Sequence, residues 1–145
     1  MAKAEELSAS LEDYLEAIYH IVKEKQASKA KDIAEKLKVN NSSVTGALRS
    51  LSKKGYINYA PYDLITLTTK GKKKATDVIK RHNALLNFFE GVLHIKRKEA
   101  EEVACKMEHS LSKNILQKLI KYIEFTEETK INGKTLSEKF NAYCK

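Results

Sequence analysis

The sequence predicts a mainly α chain: a winged helix-turn-helix domain over residues 1–73, then an all-helical domain over residues 74–145, joined by a long helix at 70–93. Three observations lead there. Apolar residues recur at three- and four-residue intervals along most of the chain, the period of a helix with one buried face. Between Tyr56 and Thr68 the period falls to two, as in a short hairpin. One proline and five glycines leave few places where a helix must break.

The elements follow in order. Ser8 or Ser10 caps a first helix in which Leu11, Leu15, Ile18, Tyr19 and Val22 recur to Lys25. Glu12 and Asp13 sit early in it, where the helix dipole favours carboxylates. After a polar break at 26–28, a second helix at 30–37 buries Ile33, Ala34 and Leu37. Residues 38–41 read as a turn, with Ser42 capping a third helix through Val44, Ala47, Leu48 and Leu51, stopped by Gly55. Residues 56–59 and 64–68 form a hairpin around a turn at 60–63, and the linking helix follows at once. Two more helices fit 98–111 and 112–123, then a turn at Asn132–Gly133 and an amphipathic stretch from Thr135 to Tyr143.

Charge and cysteines narrow the function. The net charge of +8 is concentrated between Lys23 and Lys80, while the segment from Glu99 onward is nearer balance, so one half suits a polyanion and the other something else. Cys105 and Cys144 read as free thiols in a reducing compartment. No apolar run reaches the ~18 residues of a membrane helix and the N-terminus lacks a signal-peptide core, so no membrane association and a cytoplasmic location are expected. No glycine-rich phosphate loop and no nucleophile–base pair appear, which argues against an enzyme.

The basic half has the order of a winged helix-turn-helix. The third helix presents short polar side chains on the face away from the core, so it can sit deep in a major groove with its first N–H groups near phosphate. Asn41, Ser42, Ser43, Thr45 and Arg49 are the candidates for base edges and phosphates, and Lys29 and Lys53 for sequence-blind attraction. Tyr59 and Tyr62 belong to the wing, and Gly46 removes a side chain from the middle of the reading helix. A plain helical bundle with a hairpin, or a winged helix that binds protein, would share this pattern.

Metal-ligand types recur at helical spacing in the other half. Cys105, Glu108 and His109 fall at i, i+3 and i+4 in CKMEH, presenting sulfur, oxygen and nitrogen together. Asp13 and Glu16 lie one turn apart, and His82 stands in the linking helix. On spacing alone, Asp13 and Glu16 equally suit solvated capping, His82 a structural role, and the Cys–Glu–His face either ligation or accident. His20 and His94 read as structural, and Cys144 has no assigned role.

Several segments together, SLEDYLEAIY, DIAEKL, SSVTGALRSL, KKGYI, LTTKGKKKA, the pair Arg81–His82 and EEVACKMEHSLS, resemble the DtxR/MntR family of metal-dependent transcriptional repressors from Ser10 to Phe125, in the family's order. The resemblance implies a DNA-binding domain followed by a dimerisation domain, a homodimer on double-stranded operator DNA, and Mn(II) or Fe(II) as the activating ion. It implies Asp13, Glu16, His82, Cys105, Glu108 and His109 as metal ligands. The set is a hybrid: Asp13 matches the manganese branch, whose iron relatives carry methionine there, whereas Cys105 matches the iron branch, whose manganese relatives carry glutamate. A thiolate shifts preference toward softer ions. The chain is also too short for the iron branch's SH3-like domain, and Leu86 stands where an acidic ancillary ligand is expected. A metal fixing the angle between the two modules would match two reading helices to half-sites. Dimerisation would use Val103, Met107, Leu111, Ile115, Leu116, Leu119 and Ile123. The rival reading is a metal-independent winged-helix DNA-binding regulator.

Overall fold

The structure, a computed structural model, describes residues 7–59 and 64–145, so the expected turn at 60–63, with Tyr62, lies outside the described residues. The chain divides into two compact units, Met1–Val78 and Ile79–Lys145, with the division inside the linking helix.

In the first unit, Ser8 caps α1 (Ala9–Lys25), its hydroxyl accepting from the Leu11 N–H at 3.2 Å. Gln26, in the left-handed region at φ 69°, ends it. α2 (Ala30–Leu37) starts where the Asp32 carboxylate accepts from the Lys29 N–H at 3.1 Å, and stops at left-handed Lys38. The cap of α3 (Asn41–Lys53) is Asn40, whose side chain accepts from the Ser43 N–H at 2.8 Å. Ser42, expected as the cap, lies inside the first turn and donates its hydroxyl to that same Asn40 oxygen at 2.9 Å. In the run NNSS each residue is a good cap, and the one at the bend takes the role.

The hairpin is brief: β1 (Ile57–Asn58) pairs antiparallel with β2 (Thr66–Leu67), Ile57 opposite Leu67. Ser28, between α1 and α2, exchanges backbone hydrogen bonds with Ile65 at 2.9 and 2.7 Å, which ties the hairpin to the helical core. Leu15, Ile18, Ile33, Val44, Leu48, Leu51 and Ile65 are fully buried and pack as one cluster, each contributing roughly 1.5–3 kcal/mol of transfer free energy.

α4 (Thr69–Leu86) is pinned to the hairpin at its start. Thr68 donates its hydroxyl to the Gly55 carbonyl at 2.7 Å and accepts from the Gly71 N–H at 3.0 Å. Gly71 is required by contact: a Cβ there would overlap the Tyr56 carbonyl oxygen. The expected helix to residue 93 changes pitch, because Asn87–Val92 winds as a π-helix.

In the second unit, α5 (Arg97–Met107) tightens into a 3₁₀ turn at Glu108–Ser110, and α6 (Lys113–Glu128), capped by Ser112, runs beyond the expected end at 123. β3 (Lys130–Ile131) and β4 (Lys134–Thr135) form a hairpin that adds strand to a domain expected to be all helix. The turn at Asn132–Gly133, with both residues at positive φ, joins them. α7 (Leu136–Tyr143), capped by Thr135, follows. Ala100 and Ala104 let α5 come close to Leu85 and Leu86, with Phe89, Ile95, Leu111 and Leu119 around them. Leu86 is therefore a core residue of this unit. Buried Ser137 donates its hydroxyl to the Gly91 carbonyl at 2.7 Å and accepts from His94 Nε2 at 2.9 Å, fastening α7 to the π-helix. Among the described residues, no helix is long and apolar enough to cross a membrane.

Candidate metal centre and DNA-facing surface

His82 is the hub of the second unit. It stands on α4, and α5 brings Glu101 and Cys105, one turn apart, to the same place; the 3₁₀ turn adds Glu108. His82 Nδ1 lies 2.7 Å from Glu108 Oε2, and Nε2 lies 2.9 Å from Glu101 Oε2. Cys105 Sγ is 3.8 Å from Nδ1. Glu108 is 1% exposed, an ionisable group kept almost wholly from water.

Electrostatics follow from that geometry. The hydrogen bond from Glu108 is the strongest influence on His82, joined by its charge and by the bond and charge of Glu101. They outweigh the opposing cost of burial and raise the His82 pKa to about 9. At neutral pH the ring is an imidazolium that donates from both nitrogens to the two carboxylates. A proton on His82 thus balances charge that a bound cation would also balance.

The donor chemistry fits a divalent transition ion. His82, Glu101 and Cys105 each offer an atom within 4.8 Å of the others, while Glu108 faces the other ring nitrogen of His82 from Glu101. Imidazole, carboxylate and thiol together suit borderline ions from Mn(II) to Zn(II) rather than Mg(II) or Ca(II).

Of the residues expected from the sequence, His82, Cys105 and Glu108 come together. His109 Nε2 lies 3.5 Å from Glu108 Oε1. Asp13 and Glu16 belong to α1 in the first unit, Asp13 exposed and Glu16 half-buried, with Glu16 Oε1 3.7 Å from His20 Nε2. Glu101 was missed by sequence reasoning. Its signal was present, four residues before Cys105 and seven before Glu108 on one helical face, but acidic residues crowd that stretch and hide it.

On the DNA-facing candidate surface, Lys29, Asn41, Ser42, Ser43, Arg49 and Lys53 are exposed. Thr45 is half-buried and its hydroxyl donates to the Asn41 carbonyl at 3.0 Å, which draws it back from solvent. Gly46 faces open space, so nothing in the fold requires a glycine there. The α3 face opposite Val44, Leu48 and Leu51 is thus short and polar, with cations at its margins.

Two family descriptions match the chain in sequence: "Iron dependent repressor, N-terminal DNA binding domain" over residues 6–64, and "Iron dependent repressor, metal binding and dimerisation domain" over residues 68–135. An HTH-type transcriptional regulator of Methanocaldococcus jannaschii is 40% identical over 119 residues, covering 81% of this chain and 95% of the relative. The HTH-type transcriptional regulator MntR of Bacillus subtilis is 34% identical over 127 residues, covering 88% of this chain and 89% of MntR. Among solved structures, that of the manganese regulator SloR aligns with a TM-score of 0.70 at 26% identity over 79% of this chain, which spans 53% of the SloR chain. The order of helix-turn-helix, hairpin and His82-centred unit agrees with both descriptions, and the chain belongs to the iron dependent repressor family, the DtxR/MntR group of metal-dependent transcriptional repressors.

Proposed function

We propose that this chain represses transcription as a homodimer on double-stranded operator DNA when loaded with Mn(II) or Fe(II), and that its targets are genes for uptake of the same metal. The observation that carries the metal reading is His82 held between Glu101 and Glu108 with Cys105 beside it. The proposed ligand set keeps His82, Cys105, Glu108 and His109 in the second unit, adds Glu101, and includes Asp13 and Glu16 of the first. A bound ion would supply two positive charges and a fixed coordination geometry. The chain's own residues do the rest. Glu108 is committed to the interior, so its charge must be met by a proton on His82 or by a cation.

The DNA side is supported by exposed Asn41, Ser42, Ser43 and Arg49 on α3, with Lys29 and Lys53 attracting phosphate. The dimer is supported by the dimerisation domain the family description names and by exposed Val103, Met107, Ile115, Tyr122 and Phe125 on α5 and α6. One observation favours a second reading, a metal-independent regulator: His82 already lies within hydrogen-bond distance of both carboxylates without an ion. Selection of genomic fragments by the purified protein separates the two. Enrichment of a palindromic site with Mn(II), or with Fe(II) under anaerobic conditions, and not with chelator supports the metal switch. Equal enrichment in chelator supports the second reading.

A further inference from the structure

We infer that Arg97 sets the preference of the His82 centre among divalent ions, by restricting Glu101 to one coordinating oxygen. This rests on the reading that the centre binds metal, and concerns which ion it selects.

Arg97 opens α5, one turn before Glu101. Its guanidinium is a fork between two carboxylates: Nη1 donates to Glu90 Oε2 at 3.0 Å, and Nη2 donates to Glu101 Oε1 at 3.1 Å. Glu90 lies in the π-helix Asn87–Val92, so the fork ties that segment to the start of α5. The two oxygens of Glu101 are thereby divided. Oε1 is held by Arg97, and Oε2 faces His82 Nε2 at 2.9 Å. The planar guanidinium, anchored at its other end by Glu90, also fixes the rotation of the Glu101 carboxylate.

These pairs are solvent-exposed, and a cation at the start of a helix opposes the helix dipole, so they add little to stability. Their effect falls on the donor group. A carboxylate with both oxygens free can chelate, which suits hard ions that take many oxygen ligands. A carboxylate limited to one oxygen, beside an imidazole and a thiol, gives fewer and softer donors and suits ions later in the divalent series. Arg97 therefore biases the centre away from Mn(II) and toward Fe(II) or Co(II). Its positive charge also weakens binding of every divalent ion alike, so the ratio between ions carries the signature rather than either affinity alone.

The test uses the full chain. Mn(II) and Co(II) affinities are measured in competition with a chromophoric chelator for wild type, Arg97→Gln, Arg97→Lys and Glu90→Gln, with the Co(II) absorption spectrum recorded for each. Arg97→Gln is expected to raise the Mn(II):Co(II) affinity ratio by about fivefold. The same variant should weaken the Co(II) d–d bands, the mark of a higher coordination number, while the thiolate-to-metal band from Cys105 persists. Arg97→Lys, a point donor without the fork, should fall between, and Glu90→Gln should shift the ratio the same way by less. An unchanged ratio and spectrum in Arg97→Gln, with wild type binding both ions, would overturn the role of Arg97. Failure of wild type to bind either ion would overturn the metal-centre reading itself, and the role of Arg97 with it.

Discussion

In the proposed metal centre a proton and a divalent ion would compete for the carboxylates around His82, and both consequences can be measured. Without metal, the folded pKa of about 9 lies above the unfolded value of 6.5, so the folded state binds the extra proton between them. The stabilisation is fully present below pH 6.5 and is lost as pH rises through 9. We expect metal-free protein to lose on the order of 2 kcal/mol between those limits in urea titrations, and Glu108→Gln to flatten the profile. An ion bound at His82 would displace a proton, so apparent affinity should climb up to about tenfold per pH unit until it levels near pH 9. A pH-independent affinity across that range would place the ion elsewhere. At this scale spacing left His82 and the Cys105–Glu108–His109 face open, and the family resemblance singled them out; Glu101 was one of many glutamates, and only the fold sets it beside His82.

Elements were legible where the pattern has one solution. Ile33 with the polar ends of α2, and the change of period at Tyr56, each allow a single reading. The misses share a cause, since local chemistry permitted more than one answer. Four cap-type residues precede Val44, and only the placed bend selects Asn40. The apolar spacing of 85–92 serves α and π pitch alike, so the change at Asn87 left no trace in the pattern. Phe125 is the one large apolar residue between Ile123 and the end of α6, too little to mark its last turn. Three substitutions test element contacts. Gly71→Ala should destabilise the first unit by about 2 kcal/mol or more, read by thermal unfolding, because the new methyl meets the Tyr56 backbone rather than a yielding side chain. Asn40→Ala should cost about 1 kcal/mol through loss of the cap, while Ser42→Ala should cost less.

For the whole molecule, the sequence anticipated a basic half and a ligand-bearing half, and the family descriptions divide the chain in the same order. The apolar positions expected at the dimer contact separate in the fold. Leu116 and Ile123 are buried within the subunit, while Val103, Met107 and Ile115 are exposed, joined by Tyr122 and Phe125, which periodicity alone did not single out. Tyr122→Glu with Phe125→Glu should therefore convert a dimer to a monomer in sedimentation at micromolar concentration and leave the helical content intact. Unchanged dimerisation would move the contact to another face.

In the proposed function the His82 centre converts metal binding into DNA affinity. The most direct measurement is affinity for a selected DNA fragment, by fluorescence anisotropy at fixed salt, with metal and with chelator, for wild type, Glu108→Ala and the exposed-site variant Cys105→Ala. The expected result is a metal-dependent gain in wild type of about a hundredfold, within the range of coupling free energies between sites. That gain should be lost in Glu108→Ala and reduced in Cys105→Ala, with both variants keeping the metal-free affinity. Equal affinity with metal and chelator in wild type, or a gain that survives both substitutions, would contradict it.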